Sequence, residues 1–341
     1  MILGHGDDGY LHNETIRANF SSNVFYEGLP EGLKEHLSSH WDTITRYPDA
    51  NAESLQKALV NWHQLQAQEI LVTNGATEAF YLIAHHLQKQ SATIIIPSFA
   101  EYEDACRVHA VALKFMEWES INKNTRFATE AVFFGNPNNP TGSVFAKELL
   151  YALLENNPNT LFVIDEAYVD FTVNEISMIH KINTFTNLLI VKSLTKTYAI
   201  PGLRLGYIIS QEQNIQAILK NKMPWSVNAF AIEAGKFIVK NAESLALPLQ
   251  TLLADTSVFM AELRQIESIE IYPTTTNFFL CQTKLKTAAE LKEYLLTIHH
   301  LLVRDASNFR SLSAQHFRIA TQTPENNQLL IKAIKQWTTL S

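Results

Sequence analysis

Six short, almost unbroken apolar runs dominate the middle of this chain, at residues 70–73, 93–96, 131–135, 161–165, 188–193 and 206–210. A strand with apolar side chains on both faces must be covered on both, and helices flanking a mostly parallel sheet do this. Amphipathic stretches fall between the runs. In residues 75–88, Phe80, Ile83, Ala84 and Leu87 recur at helical spacing, and residues 53–63 and 145–156 have the same character. Strand and helix in alternation predict a wound α/β domain.

From Trp225 the pattern changes to a long helical stretch toward Ile266, which Pro248 must kink or break. Residues 268–272, 277–282, 301–304 and 316–320 then read as strands, and 288–299 and 325–337 as helices. This is a smaller α+β unit. The expected division is an N-terminal arm (1–30), a large α/β domain (31–240) and a small C-terminal α+β domain (241–341), with no internal repeat or low-complexity linker.

A net charge of −7 argues against a nucleic-acid or anionic-membrane surface, while leaving room for a basic pocket that takes a small phosphorylated ligand. No apolar run is long enough to span a bilayer, and the first eight residues do not resemble a signal peptide. Cys106 and Cys281 belong to no CxxC and read as buried thiols of a reducing compartment. The expected location is cytoplasmic, with no metal site.

In wound sheets, ligands sit beyond the carboxyl ends of the strands, and four such ends carry unusual polar residues. Asn74-Gly-Ala-Thr-Glu78 opens a helix with small residues. Its free N–H groups suit a phosphate, though Thr77 also suits a plain cap. Gly135-Asn-Pro-Asn-Asn-Pro-Thr-Gly142 is longer than a connection requires, and its X-Pro bonds allow a cis geometry that aims Asn139 at a ligand. Asp165-Glu-Ala-Tyr168 closes a buried strand. Asp165 there is either a helix cap or the partner of a cationic ring nitrogen. Lastly, Lys196 lies between a buried strand and an apolar loop containing Pro201 and Gly202, with Ser193 before it and Arg204 after. A desolvated lysine near another cation is a nucleophile toward aldehydes, and an arginine offers a planar fork to a phosphate. Together the four ends supply what pyridoxal 5'-phosphate needs.

With these motifs the chain resembles the fold-type-I, class I/II aminotransferase family over nearly its whole length, Gly202-Leu-Arg-Leu-Gly206 included. The resemblance implies a transferase-like fold with a wound sheet in a large domain and a smaller C-terminal domain. It also implies roles. Lys196 would bond covalently to the cofactor aldehyde, Asp165 would pair with the pyridine nitrogen, and Asn139 and Tyr168 would contact the ring oxygen. Tyr102, in Pro97-Ser-Phe-Ala-Glu-Tyr102, would stack on the ring, while Ala76, Thr77, Ser193 and Arg204 would hold the phosphate. Tyr47, in Arg46-Tyr-Pro-Asp49, would reach the neighbouring subunit's cofactor, implying a homodimer with shared active sites.

Two branches of the family compete. Arg46-Tyr-Pro-Asp49 resembles a branch that transaminates a phosphorylated amine. His5-Gly6, Phe99-Ala-Glu-Tyr102 and Met223-Pro-Trp-Ser-Val-Asn-Ala229 resemble more closely the cobalamin-pathway branch, which decarboxylates a phosphorylated amino acid. That likeness implies a substrate held by His5, Gly6, Asn23, Asn139, Arg304 and Arg318, with the N-terminal arm contributing to the site. A regulator that binds the cofactor without catalysis would need a DNA-binding module, and no basic helix-turn-helix is read here.

Overall fold

The computed structural model describes residues 8–12 and 14–340. Its early elements are β1 (Ala18–Asn19), α1 (Leu33–Ser39), α2 (Glu53–His63), β2 (Ile70–Thr73), α3 (Gly75–His86), β3 (Ser91–Ile96), α4 (Ala100–Val108), β4 (Ala112–Glu117), β5 (Ala131–Gly135), α5 (Lys147–Asn156), β6 (Leu161–Asp165), β7 (Leu188–Ser193), β8 (Gly206–Ser210), α6 (Glu212–Leu219) and α7 (Ala229–Lys240). After them come α8 (Leu249–Leu263), β9 (Ile269–Ile271), β10 (Phe278–Thr283), α9 (Ala288–His299), β11 (Leu301–Leu302), β12 (Arg304–Asp305), β13 (His316–Ala320) and α10 (Pro324–Leu340).

The large sheet has seven strands in the order β2-β8-β7-β6-β5-β3-β4. Alternate residues of its central strands enter two different cores. Val72, Phe134, Ile164 and Ile190 face one, while Leu71, Phe133, Val163 and Leu189 face the other. Both faces are therefore buried, as the unbroken apolar runs require. The sheet is mostly parallel, but β8 runs antiparallel to both β7 and β2. Burial alone does not distinguish strand direction. The seventh strand, β4, is an edge strand whose residues are all exposed or half-buried, so it left no apolar run to read.

The smaller unit is a four-stranded antiparallel sheet, β12-β13-β10-β9, packed against α8, α9 and α10 through Phe259, Leu295, Phe317 and Ile334. Two sequence expectations change here. The long helix is interrupted from 241 to 248, with Pro248 at the N-cap of α8. The single strand expected at 301–304 is two short ones serving different sheets. β11 pairs with β1 in parallel, and β12 pairs with β13.

The segment around β1 is built into the small unit's core. Ala18 and Phe20 are buried with Phe259 and Leu301, Phe20 N–H donates to the Leu302 carbonyl (2.7 Å), and Ala320 N–H donates to the Phe20 carbonyl (2.9 Å). The chain then crosses to the large sheet, where Phe25 N–H donates to the Lys196 carbonyl (3.0 Å). Among the described residues, no helix is long and apolar enough to cross a membrane.

Candidate active site

One cleft gathers the strand ends singled out in the sequence. Its walls include Ala76, Thr77, Asn139, Asp165, Ser193, Lys196 and Arg204 from the large unit, Arg304 and Arg318 from the small one, and Asn23 from the N-terminal segment.

The floor begins where β2 enters α3. Gly75 has φ +73°, and a Cβ there would stand 2.6 Å from an Nη atom of Arg204. Only glycine meets both conditions. Gly206, at the start of β8, is equally constrained, because a Cβ would lie 2.7 Å from the Ala76 nitrogen. These two close approaches set the Arg204 guanidinium over the first turn of α3, beside Ala76 and Thr77. The result is a cradle of donors and positive charge for a phosphate-sized anion.

Next to it, Asp165 ends β6. It is buried, and it accepts from the Tyr102 hydroxyl (2.7 Å) and the Ala167 N–H (2.9 Å). Burial pushes its carboxyl up to about 6, although the Tyr102 and Ala167 hydrogen bonds and the Lys196 charge oppose the shift. A cationic N–H ligand would relieve that penalty. The site thus fits a ring with a protonated nitrogen at one end and a phosphate at the other.

The Asn-Pro loop after β5 has cis bonds at Asn136–Pro137 and Asn139–Pro140. Two of its three asparagines hold the loop itself. Asn136 accepts from Phe145 N–H (2.8 Å), and Asn138 donates to the Pro97 carbonyl (2.9 Å). Asn139 instead turns to the cleft, where its Oδ1 accepts from Arg318. Lys196 is half-buried on the turn after β7, among the Ser193 and Thr195 hydroxyls, which bond each other at 2.8 Å.

The roof is chemically different. Arg304 and Arg318 are directly opposed across the antiparallel β12–β13 pair, and both are buried. Arg318 also donates to the Ser21 carbonyl (2.6 Å), and Arg304 donates to Asn308 Oδ1 (3.0 Å) over the Phe309 ring. Burial pushes the Arg304 guanidinium down, while the charges of Asp8 and Asp305 pull it back up.

Tyr168 packs on Phe278 and is hydrogen-bonded by Asn23 (3.4 Å). Burial raises the Tyr168 phenol. Tyr102 lines the cleft, but it is only 2% exposed and its hydroxyl is committed to Asp165. Phe99, one helical turn earlier, is the half-buried aromatic of that motif and also lines the cleft. The sequence reading passed over Phe99 although it lies in the quoted motif, and it passed over Ser21, Thr195, Asn308 and Phe309 as well. Tyr47 is 86% exposed beside Trp225 and is not part of this cleft. His5 and Gly6 lie outside the described residues.

The sequence profile of the aminotransferase class I and II family matches residues 15–334. The chain belongs to that family. Among curated members, the threonine-phosphate decarboxylase of Salmonella typhimurium is 31% identical over 98% of this chain and 93% of its own length. The crystal structure of L-threonine-O-3-phosphate decarboxylase from Porphyromonas gingivalis superposes with a TM-score of 0.92 at 39% identity, over 94% of this chain and 99% of that one. The histidinol-phosphate aminotransferase structure from Clostridium acetobutylicum gives 0.85 at 27%, over 95% and 100%. This aminotransferase-class chain is therefore a pyridoxal-phosphate-dependent type of enzyme, related to both the decarboxylases and the transaminases.

Proposed function

We propose that the chain is a pyridoxal-phosphate-dependent decarboxylase of a phosphorylated amino acid, with L-threonine O-3-phosphate as the substrate and cobalamin biosynthesis as its setting. The observation that carries this reading is the opposed, buried pair Arg304 and Arg318. An amino acid with a carboxylate at one end and a phosphate at the other would neutralise both guanidinium groups at once. The two decarboxylase relatives support the same reading.

In this proposal Ala76, Thr77, Ser193 and Arg204 hold the cofactor phosphate, and Asp165 keeps the ring nitrogen protonated. Asn139 and Tyr168 bind the ring oxygen, and Phe99 and Tyr102 cover the ring face against water. Bound there, pyridoxal phosphate supplies an electron sink for the bond broken at the substrate α-carbon. Lys196 is the covalent anchor, and its Nζ carries the proton that replaces the departing carboxylate. Arg318, braced by Asn139 and the Ser21 carbonyl, takes the carboxylate, while Arg304, with Asn23, His5 and Gly6, takes the phosphate end. The exposed Tyr47, near exposed Trp41, Ile44 and Trp225, reaches the cofactor phosphate of a second copy in a homodimer.

The second reading, transamination of a histidinol-phosphate type of substrate, is favoured by the 0.85 superposition. It uses the same side chains, with Lys196 removing a proton from the α-carbon. Carbon dioxide release from L-threonine O-3-phosphate, run beside keto-acid-dependent amino transfer from histidinol phosphate, separates the two. The proposal expects the first activity. Amino transfer without carbon dioxide would replace it with the second. Borohydride treatment of the holoenzyme should fix the cofactor on Lys196, and failure to do so would remove both.

A further inference from the structure

Away from the cleft, α1 and α7 bring together two imidazoles and a carboxylate. His36 lies in the last turn of α1 and His40 is its C-cap four residues on, its N–H still bonded to the His36 carbonyl, so the two share one face. Their Nε2 atoms stand 3.6 and 3.8 Å from Oε2 of Glu233 on α7. Among the described residues, this is the one trio of metal-ligating side chains whose donor atoms all lie within 4.8 Å of one another. Two ligands of a tetrahedral zinc ion, each about 2.0–2.2 Å from the metal, stand roughly 3.3–3.6 Å apart. The two imidazole–carboxylate separations thus lie within a few tenths of an ångström of that spacing, and side-chain rotation has to bring the two imidazoles, within 4.8 Å of each other, to match.

Two details turn proximity into preparation. The ring Nδ1 of His40 lies 2.8 Å from the His36 carbonyl, which can only accept, so Nδ1 is the donor and Nε2 is the nitrogen turned toward Glu233. A backbone carbonyl holding the far nitrogen in this way is the usual outer-shell support of a metal-bound histidine. His36 Nε2, for its part, is buried without a hydrogen-bond partner. Glu233 divides its oxygens, with Oε1 accepting from Lys236 (2.7 Å) and Oε2 facing the two imidazoles.

We propose that His36, His40 and Glu233 form a site for a divalent transition-metal ion, zinc by preference, clamping α1 to α7. Two histidines and one carboxylate leave a fourth position for water. Directly after His40 the chain makes the Trp41–Thr45 turn, so the ion would anchor the start of that exposed segment. The site lies outside the catalytic cleft, and its occupancy does not depend on which reaction the cleft performs.

The test uses the full-length holoenzyme with Co2+ as a spectroscopic probe and Zn2+ as competitor. The expected result is a visible four-coordinate cobalt spectrum, bleached by zinc, with a zinc-dependent rise in Tm. His36→Gln and His40→Gln should each weaken binding by at least the roughly 10–100-fold that loss of outer-shell support costs. Lys236→Ala should tighten it, since the carboxylate is then no longer shared with an ammonium. That gain cannot be produced by misfolding. Cobalt affinity unchanged in both histidine variants, or binding only at millimolar metal in the wild type and the Lys236→Ala variant alike, would overturn the proposal.

Discussion

The floor and the roof of the cleft are built on opposite principles. On the floor, each polar group has a geometric reason to be where it is. Gly75 and Gly206 admit the Arg204 guanidinium and the α3 amides by lacking a Cβ, and Asp165 is held by two hydrogen bonds. The roof instead sets Arg304 against Arg318 across two short strands. The contrast suits a cofactor that stays and a substrate that comes and goes. A resident ligand can complete the fold, whereas a transient one meets cationic side chains that the protein already holds by its own hydrogen bonds.

The contrast can be attacked from either side. The largest effect is expected from Gly75→Ala. The left-handed φ costs roughly 1–2 kcal/mol of fold stability, and displacing Arg204 from a phosphate separately costs roughly 1.5–3 kcal/mol of cofactor binding. Cofactor affinity, followed by fluorescence titration, should fall by about ten- to a hundredfold. Near-normal affinity would mean that the phosphate lies elsewhere.

Asp165→Asn is expected to weaken cofactor binding while stabilising the cofactor-free protein. The folded-state carboxyl is raised to about 6 from an ordinary 3.8, so ionisation is disfavoured by folding. The penalty is absent below pH 4, grows through pH 6 and is complete above it. It amounts to roughly 3 kcal/mol at neutral pH. Melting curves of the two apo-proteins should therefore coincide at pH 4 and diverge by pH 7.5. Equal Tm at both values would show the carboxylate already compensated.

On the roof, Arg304→Met should leave the ligand-free protein unchanged or about 1 kcal/mol more stable, because the desolvation of a buried guanidinium is removed. The KM for the phosphorylated substrate should rise at least roughly tenfold. A loss of several kcal/mol in urea denaturation would make Arg304 structural. The smallest effect is expected at Glu103 on α4, which accepts from Arg107 and from Arg310 of the small unit (2.7 Å each). Both arginines are half exposed, so Glu103→Gln should cost about 1 kcal/mol or less, shrinking further in high salt.

The same contrast explains what could be read from the sequence. Floor residues sit in contiguous motifs, so Asn74–Glu78, Asp165–Tyr168 and Ser193–Gly206 could be placed at strand ends before any fold was known. Arg304 and Arg318 were legible as candidates, but their opposition was not. It depends on the register of a two-residue strand that leaves no periodicity. Strand direction was equally hidden, because antiparallel β8 is as apolar as the parallel strands of the same sheet. Within Pro97–Tyr102, the tyrosine reads as the ring that stacks on the cofactor, yet it is buried with its hydroxyl turned to Asp165, and Phe99 three residues earlier opens to the cleft. Helical phase near a cap is set by the loop before it, which sequence spacing does not report.

The parallel pairing of β1 with β11 has a consequence for biosynthesis. The strip around Ala18 is translated before its partners at Leu301 and Leu302, which follow roughly 280 residues later. At about 5–20 residues per second that is a wait of roughly a quarter of a minute to a minute. Phe20, fully buried in the finished molecule, must stay soluble throughout, exposed or shielded by a chaperone, while the seven-stranded sheet is already complete. The pairing of β1 with β11 therefore cannot form until the chain has been made past Leu302.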